Sequence, residues 1–299
     1  MGQVASLGSR GLAATLWFVV WGCGRVNFDS RSDANDASDA TGQLGPPMVV
    51  GELTVGGVDA DDPTLTADML EIYFASSRPG GVGSGDIWRS IRNSVDEPWQ
   101  PPVVVTELDS ASVEESPGIT ADGLEMYFTS DRGGGNDIWA STRPTRGDMW
   151  AAPTVVAELS TGSGDFQPQP SATKLRIVFY RSSGNRDIYE ATRTAVGATW
   201  QSPAVLANVN SAAGDRSPCL DGSELTMVFS SDRDSATADV QDLYLATRAS
   251  LTDPFGAAQP LTDLNSQFDD DSAWLSSDGH VLFFSSDRSG TSEIYVTQR

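Results

Sequence analysis

Five units, each opening on a proline or alanine, recur through residues 46–299, and this recurrence limits the fold more than any other property of the chain. The units open at Pro63, Pro117, Pro168, Pro218 and Ala273. Eleven residues after each anchor stands a phenylalanine: Phe74, Phe128, Phe179, Phe229 and Phe284. A second block follows a loop of variable length. It begins Asp86-Ile87-Trp88, Asp137-Ile138-Trp139, Asp187-Ile188-Tyr189, Asp242-Leu243-Tyr244 and Glu293-Ile294-Tyr295. Six residues after each of these acids comes an arginine: Arg92, Arg143, Arg193, Arg248 and Arg299. Two fixed internal distances kept in five copies define a structural repeat.

Each copy reads as β structure. In the second, Leu124 to Ser130 is rich in aromatic and other apolar residues and is bounded by turn residues, a length that suits a strand and not a helix. Ala121-Asp122-Gly123 before it is turn chemistry. Asp131 to Asn136 makes a hairpin loop, and Asp137 to Arg143 returns. A further strand is predicted at Ala152–Leu159, with counterparts at Pro101–Leu108, Ser202–Val209 and Gln259–Leu264. Four short strands per unit, with anchors 50–55 residues apart, specify a β-propeller blade. The fifth copy stops after its third strand, whereas residues 46–55 (PPMVVGELTV) read as a fourth strand with no unit before them. The two deficits complement each other. An all-β propeller of five four-stranded blades is expected, with the N-terminal strand completing the last blade and removing the open edges of the array.

The pattern P-x-x-[ST]-x-D-G-x-x-[LIM]-x-F-x-S-x-R…D-[IL]-[WY] resembles the PD40 group of WD40-like repeats, also found in TolB-type propellers. It covers residues 46–299. The resemblance implies the fold and says little about activity. The third copy departs most, with Ala172-Thr173-Lys174 in place of the Ala-Asp-Gly turn and Ser183 where the others have Arg.

The net charge of −22 sets the chain against nucleic acid and anionic lipid surfaces and favours solubility. Two cysteines, Cys23 and Cys219, lie in different contexts and define no disulfide framework. Cys219, at the start of a predicted inner strand, reads as a small buried hydrophobe. One histidine, His280, falls in a turn, so a multi-histidine zinc site or a Ser-His-Asp triad has no basis.

Ahead of the repeats, Gly11 to Trp21 is apolar but too short to span a bilayer, and reads as part of a targeting segment covering residues 1–22. It runs into Val20-Trp21-Gly22-Cys23, which resembles a bacterial lipobox; the resemblance implies cleavage before Cys23 and a lipid on its thiol. Residues 23–45 are acidic, poor in apolar side chains and read as a disordered tether. The expected address is the cell envelope, with the chain held to a membrane only through its anchor. Gly24 after the cysteine resembles outer-membrane sorting, with the domain facing the periplasm or the surface.

The recurrent aromatics read as packing between blades. Arg78, Arg132, Arg233 and Arg288 flank the same hairpins as Asp86, Asp137, Asp242 and Glu293, and an ion pair across each hairpin is expected. Three residues before the anchor, four copies carry an acid: Glu114, Asp165, Asp215 and Asp270. These lead into the strands that line a propeller's channel and are expected to converge on one mouth of the funnel. Such carboxylates suit Ca²⁺ or a basic partner segment, although no EF-hand pattern supports a dedicated calcium site. No nucleophile–base set is present, and no cofactor is implied. The reading favours a monomeric, non-enzymatic scaffold that binds an envelope protein, a peptide or a glycan through a propeller face. The alternatives are a glycan hydrolase using two acids of the rim and a Ca²⁺-dependent lectin-like module.

Overall fold

The structure, a computed structural model, describes residues 44–235, 237 and 239–299. Among these residues it contains twenty strands in five antiparallel four-stranded sheets. Blade 1 holds β2 (Asp61–Leu65), β3 (Glu71–Ser76), β4 (Asp86–Ile91) and β5 (Val103–Val104). Blade 2 holds β6 (Glu114–Ile119), β7 (Glu125–Ser130), β8 (Asp137–Thr142) and β9 (Thr154–Val155). Blade 3 holds β10 (Asp165–Pro170), β11 (Arg176–Ser183), β12 (Asn185–Thr192) and β13 (Ala204–Val205). Blade 4 holds β14 (Asp215–Leu220), β15 (Thr226–Ser231), β16 (Asp242–Thr247) and β17 (Gln259–Pro260). Blade 5 holds β18 (Asp270–Leu275), β19 (Val281–Ser286), β20 (Glu293–Gln298) and, as its fourth strand, β1 (Met48–Val49). The ring is therefore closed as the repeat count requires, with Met48 opposite Val296 and Val49 opposite Tyr295. The predicted targeting segment, the predicted tether as far as Gln43 and Cys23, where a lipid is expected, lie outside the described residues.

The fourth strands are shorter than their sequences suggest. Only two residues of each make ladder contacts. The rest of each run turns inward and buries Leu108, Leu159, Val209 or Leu264. One apolar anchor per blade thus replaces a longer edge strand, and little unpaired backbone is left at the rim.

The five repeat phenylalanines are all fully buried. Trp99, Trp150, Trp200 and Phe255 are buried as well, and Tyr73 and Tyr127 reach Trp150 and Trp200 of the next blade edge-on at 6.3 and 6.2 Å. These aromatics join neighbouring blades, as expected. In blades 1 to 4 the arginine that follows the third strand lies over one of them. Arg92, Arg143, Arg193 and Arg248 stand 4.3, 4.5, 4.5 and 4.4 Å from the rings of Trp99, Trp150, Trp200 and Phe255. Each such contact is worth roughly 0.5–2 kcal/mol according to its desolvation. Arg143 and Arg193 also reach back to Glu71 and Glu125 of the preceding blade, at 2.8 and 3.0 Å. The odd turn of the third copy fits the same frame. Lys174 adopts φ 60° where blades 2 and 5 have Gly123 and Gly279, and its amine pairs with Asp122 and Glu125 of blade 2.

Candidate functional site

The acids three residues before each anchor do not reach an open mouth. Glu114, Asp165, Asp215 and Asp270 are all fully buried. Each accepts a backbone N–H from the residue four positions earlier, at 2.8 Å from Ser110 and 2.6 Å from Thr161, Ser211 and Ser266. Each also meets an arginine: Glu114 with Arg132 at 2.8 Å, Asp165 with Arg181 at 2.6 Å, Asp215 with Arg233, and Asp270 with Arg288. The expected pairing across the hairpin is corrected by the same contacts. Arg132, Arg233 and Arg288 pair with the inner-strand acid and not with Asp137, Asp242 or Glu293. The same guanidinium donates to a backbone carbonyl, of Leu108, Val209 or Leu264, and lies between the two aromatics of its blade. In blade 3 the role passes to Arg181, two residues earlier, which explains why Ser183 needs no charge. Blade 1 has Ala60 in place of the acid, so the Arg78 guanidinium donates to Ser76 Oγ and Leu53 O without a paired carboxylate among the described residues, and burial draws its pKa down to about 10.

The hairpin acids have other partners. Asp86 accepts the Gly83 N–H at 2.9 Å, and Glu293 accepts the Ser289 hydroxyl at 2.6 Å. Burial and the neighbouring acids raise Asp137 and Asp242. Asp86, Asp109 and Glu114 bring carboxylate oxygens within 4.8 Å of one another, the one such grouping among the described residues. Burial and the adjoining Asp86 push Asp109 up to about 6, and its Oδ1 is buried without a partner. The oxygen donors fit a hard cation such as Ca²⁺, although Glu114 is already neutralised by Arg132.

The channel itself is built two positions further along. In all five inner strands the residue before the anchor is left-handed: Asp62, Ser116, Gln167, Ser217 and Ser272 have φ between 51° and 54°. The pairing with the second strand slips at this point in every blade. A left-handed residue in a bulge re-aims its side chain, and here all five meet on the axis. Asp62 accepts from Ser116 N and Oγ (3.0 and 2.9 Å), from Gln167 Nε2 (2.6 Å) and from Ser272 Oγ (2.6 Å). Ser217 donates to Gln167 Oε1 at 2.5 Å. The space among them, ≈ 10 Å³, holds about one water, so the channel is shut and its mouth is a blind pit.

One residue before this ring, the blades offer three acids, an aromatic and a base: Asp61, Glu115, Asp271, Phe166 and Arg216. All five are half-buried. Burial first, then the charge of Asp62, lifts Asp61 to about 7. Burial followed by Asp62 and Asp61 lifts Glu115 to about 7. Asp271 is raised well above the carboxylate range by burial, then by Asp61 and Asp62, with Arg216 pulling the other way. Phe166 stacks on Tyr180 at 5.0 Å and 12°. Arg216 donates to Asp239 at 3.1 Å, while its Nε is buried without a partner. Sequence reasoning saw the acids before the anchors but assigned the wrong register, and it missed Phe166, Gln167 and Arg216. The five copies carry acid, acid, aromatic, base and acid at this position, but the position after the anchor varies as widely, with Thr64, Gly118, Gln169, Cys219 and Trp274, so variety alone did not mark it.

No family model matches the chain, and no curated protein matches it. Solved structures do. The α-L-arabinofuranosidase PaAbf62A from Podospora anserina is 9% identical with a TM-score of 0.57, covering 86% of this chain and 97% of that one. The α-L-arabinofuranosidase from Lactobacillus brevis is 14% identical with a TM-score of 0.55, covering 81% and 90%. TolB from Acinetobacter baumannii is 13% identical with a TM-score of 0.49, covering 80% of this chain, which spans 54% of that protein's length. At these identities the first two likenesses establish the fold, a five-bladed β-propeller.

Proposed function

We propose that this protein is a non-enzymatic binding module, tethered in the cell envelope through Cys23, whose ligand seat is the blind mouth lined by Asp61, Glu115, Phe166, Arg216 and Asp271. The observation that carries this reading is the gathering of four charged side chains and one aromatic, all half-buried, at one level of the five inner strands. Glu115 and Asp271 accept no hydrogen bond among the described residues, a cost that the scaffold alone does not require. Perturbed carboxylates in a concave site point the same way. The test is affinity capture from solubilised envelope material with the full-length chain, beside the double variant E115Q/D271N. Capture of a specific protein, peptide or glycan that the variant loses supports the reading; identical capture by both moves the seat elsewhere.

A second reading has its own support. Glu115, held protonated to about 7, has the property of a general acid, and the two arabinofuranosidases share this five-bladed frame. Release of arabinose from arabinoxylan, abolished by E115Q, would replace the binding module with a hydrolase.

A further inference from the structure

The chemistry of the mouth narrows the ligand class, given that the mouth is the seat just proposed. Two polar atoms there are buried and without a hydrogen-bond partner. One is Ser230 Oγ, on a residue with no exposed surface, and the other is Arg216 Nε. They are cross-strand partners, Arg216 of β14 opposite Ser230 of β15, so both side chains share a face. The repeat shows where Ser230 aims. Its counterpart Ser285 in blade 5 accepts the Asp62 N–H of the next blade at 3.2 Å, beside the Asp61 carboxyl. Ser230 stands in the same relation to Asp271, yet no such bond forms. The carboxylates of Glu115 and Asp271 likewise accept no hydrogen bond among the described residues. A buried donor left unpaired is destabilising, and a ligand hydroxyl would satisfy it.

The set is mixed. A bare cation would be served by the three acids, but the Arg216 guanidinium stands among them. An anion would be served by Arg216 and repelled by the acids. A neutral group that both donates and accepts fits every member: hydroxyls accept from Arg216 Nε, exchange with Ser230 Oγ and donate to the carboxylates. Carboxyl groups held partly protonated suit a neutral partner as well. Blade 3 adds the remaining piece, the flat pair of Phe166 on Tyr180, an aromatic platform for an apolar ring face.

We infer that the mouth is a saccharide seat: one neutral sugar ring lies on Phe166, with its hydroxyls shared among Arg216, Ser230, Glu115 and Asp271. The test is isothermal titration of the full-length chain with neutral arabino-, xylo-, cello- and manno-oligosaccharides, and with an acid hydrolysate of envelope glycans. The expected result is saturable one-to-one binding by at least one of these. Phe166→Ala weakens it about tenfold, and Ser230→Ala, which removes a buried unpaired hydroxyl and leaves folding intact, weakens it about threefold. No binding by any probe, or binding indifferent to both substitutions, overturns the inference. If the envelope capture meanwhile yields a protein lost in E115Q/D271N, the binding-module reading stands and the saccharide alone fails. Binding followed by cleavage keeps the saccharide seat and replaces the non-enzymatic reading.

Discussion

Arg132, Arg181, Arg233 and Arg288 each carry a charge into the wall between an inner and a second strand, and each meets a carboxylate with no exposed surface. Removing one member of such a pair leaves the other buried and uncompensated, which costs about 3–5 kcal/mol. Asp215→Ala and Arg181→Ala are therefore expected to fall in that range in urea unfolding. Ser183→Ala, at an exposed site, should stay within about 0.5 kcal/mol. A neutral Arg181→Ala would show that blade 3 has not reassigned the pairing. The mouth acids act on stability with the opposite sign. Asp61 and Glu115 rise from 3.8 and 4.5 to about 7 on folding, so the native state keeps protons that the unfolded chain gives up. Their contribution is complete below about pH 4 and is lost as pH rises through about 7. Glu71 and Glu125, lowered by Arg143 and by Arg193 with Lys174 against the opposing effect of burial, lose theirs as pH falls below the ordinary carboxylate range. The melting temperature should therefore peak in mild acid and decline through neutrality. E115Q should raise it at pH 8 and leave it unchanged at pH 4; a flat profile in the wild type would remove this account.

At the scale of elements, the closing strand β1 is as short as the other fourth strands and has the largest consequence. Two residue pairs and the Val50 N–H to Ile294 O bond at 2.8 Å tie it to β20, and Leu53 behind it is fully buried. Val50→Pro removes the donor and should cost about 3 kcal/mol or more. Leu53→Ala should cost about 2–5 kcal/mol. Both should also expose β20 as a free edge, visible as concentration-dependent association in sedimentation. These elements were legible in advance because their signal is local and repeated: short apolar runs, turn residues at fixed offsets, and a surplus strand at one end matching a missing one at the other. What could not be read was register past the bulge. A slip of one residue turns every side chain to the other face. The left-handed residues before the anchors make that slip, and without it Glu114 and its equivalents would face the axis as expected. With it they turn into the wall, and Glu115 and its equivalents line the mouth. None of Asp62, Ser116, Gln167, Ser217 and Ser272 is glycine, so no residue type announced the positive φ. The arginine pairing failed for the same reason, since two acids lay within reach of each arginine in sequence and only the packed strands select one.

For the molecule as a whole, five blades converge on one carboxylate. Asp62 of blade 1 is bound by Ser116 of blade 2, Gln167 of blade 3 and Ser272 of blade 5, and Gln167 brings in Ser217 of blade 4. This one network joins all five. Asp62→Ala strips the acceptor from four hydrogen bonds and strands the Ser116 N–H in a buried site, a loss of about 3–5 kcal/mol. Asp62→Asn is gentler. Its Oδ1 still serves Ser116, while its amine meets Gln167, whose amide turns over to present Oε1. Ser217 and Ser272 then accept or donate as needed, because a hydroxyl rotates to suit. A cost of about 1–2 kcal/mol is expected, and the exchange D62N/Q167E, which moves the charge across the axis, should recover most of it. Because the ring couples every blade, these variants should lower the midpoint of urea unfolding without splitting it, and the m-value should hold. A second transition in Asp62→Ala would instead mean that the blades are held pairwise around the rim, by the stacked arginines and aromatics, and that the axis only fills the space they leave.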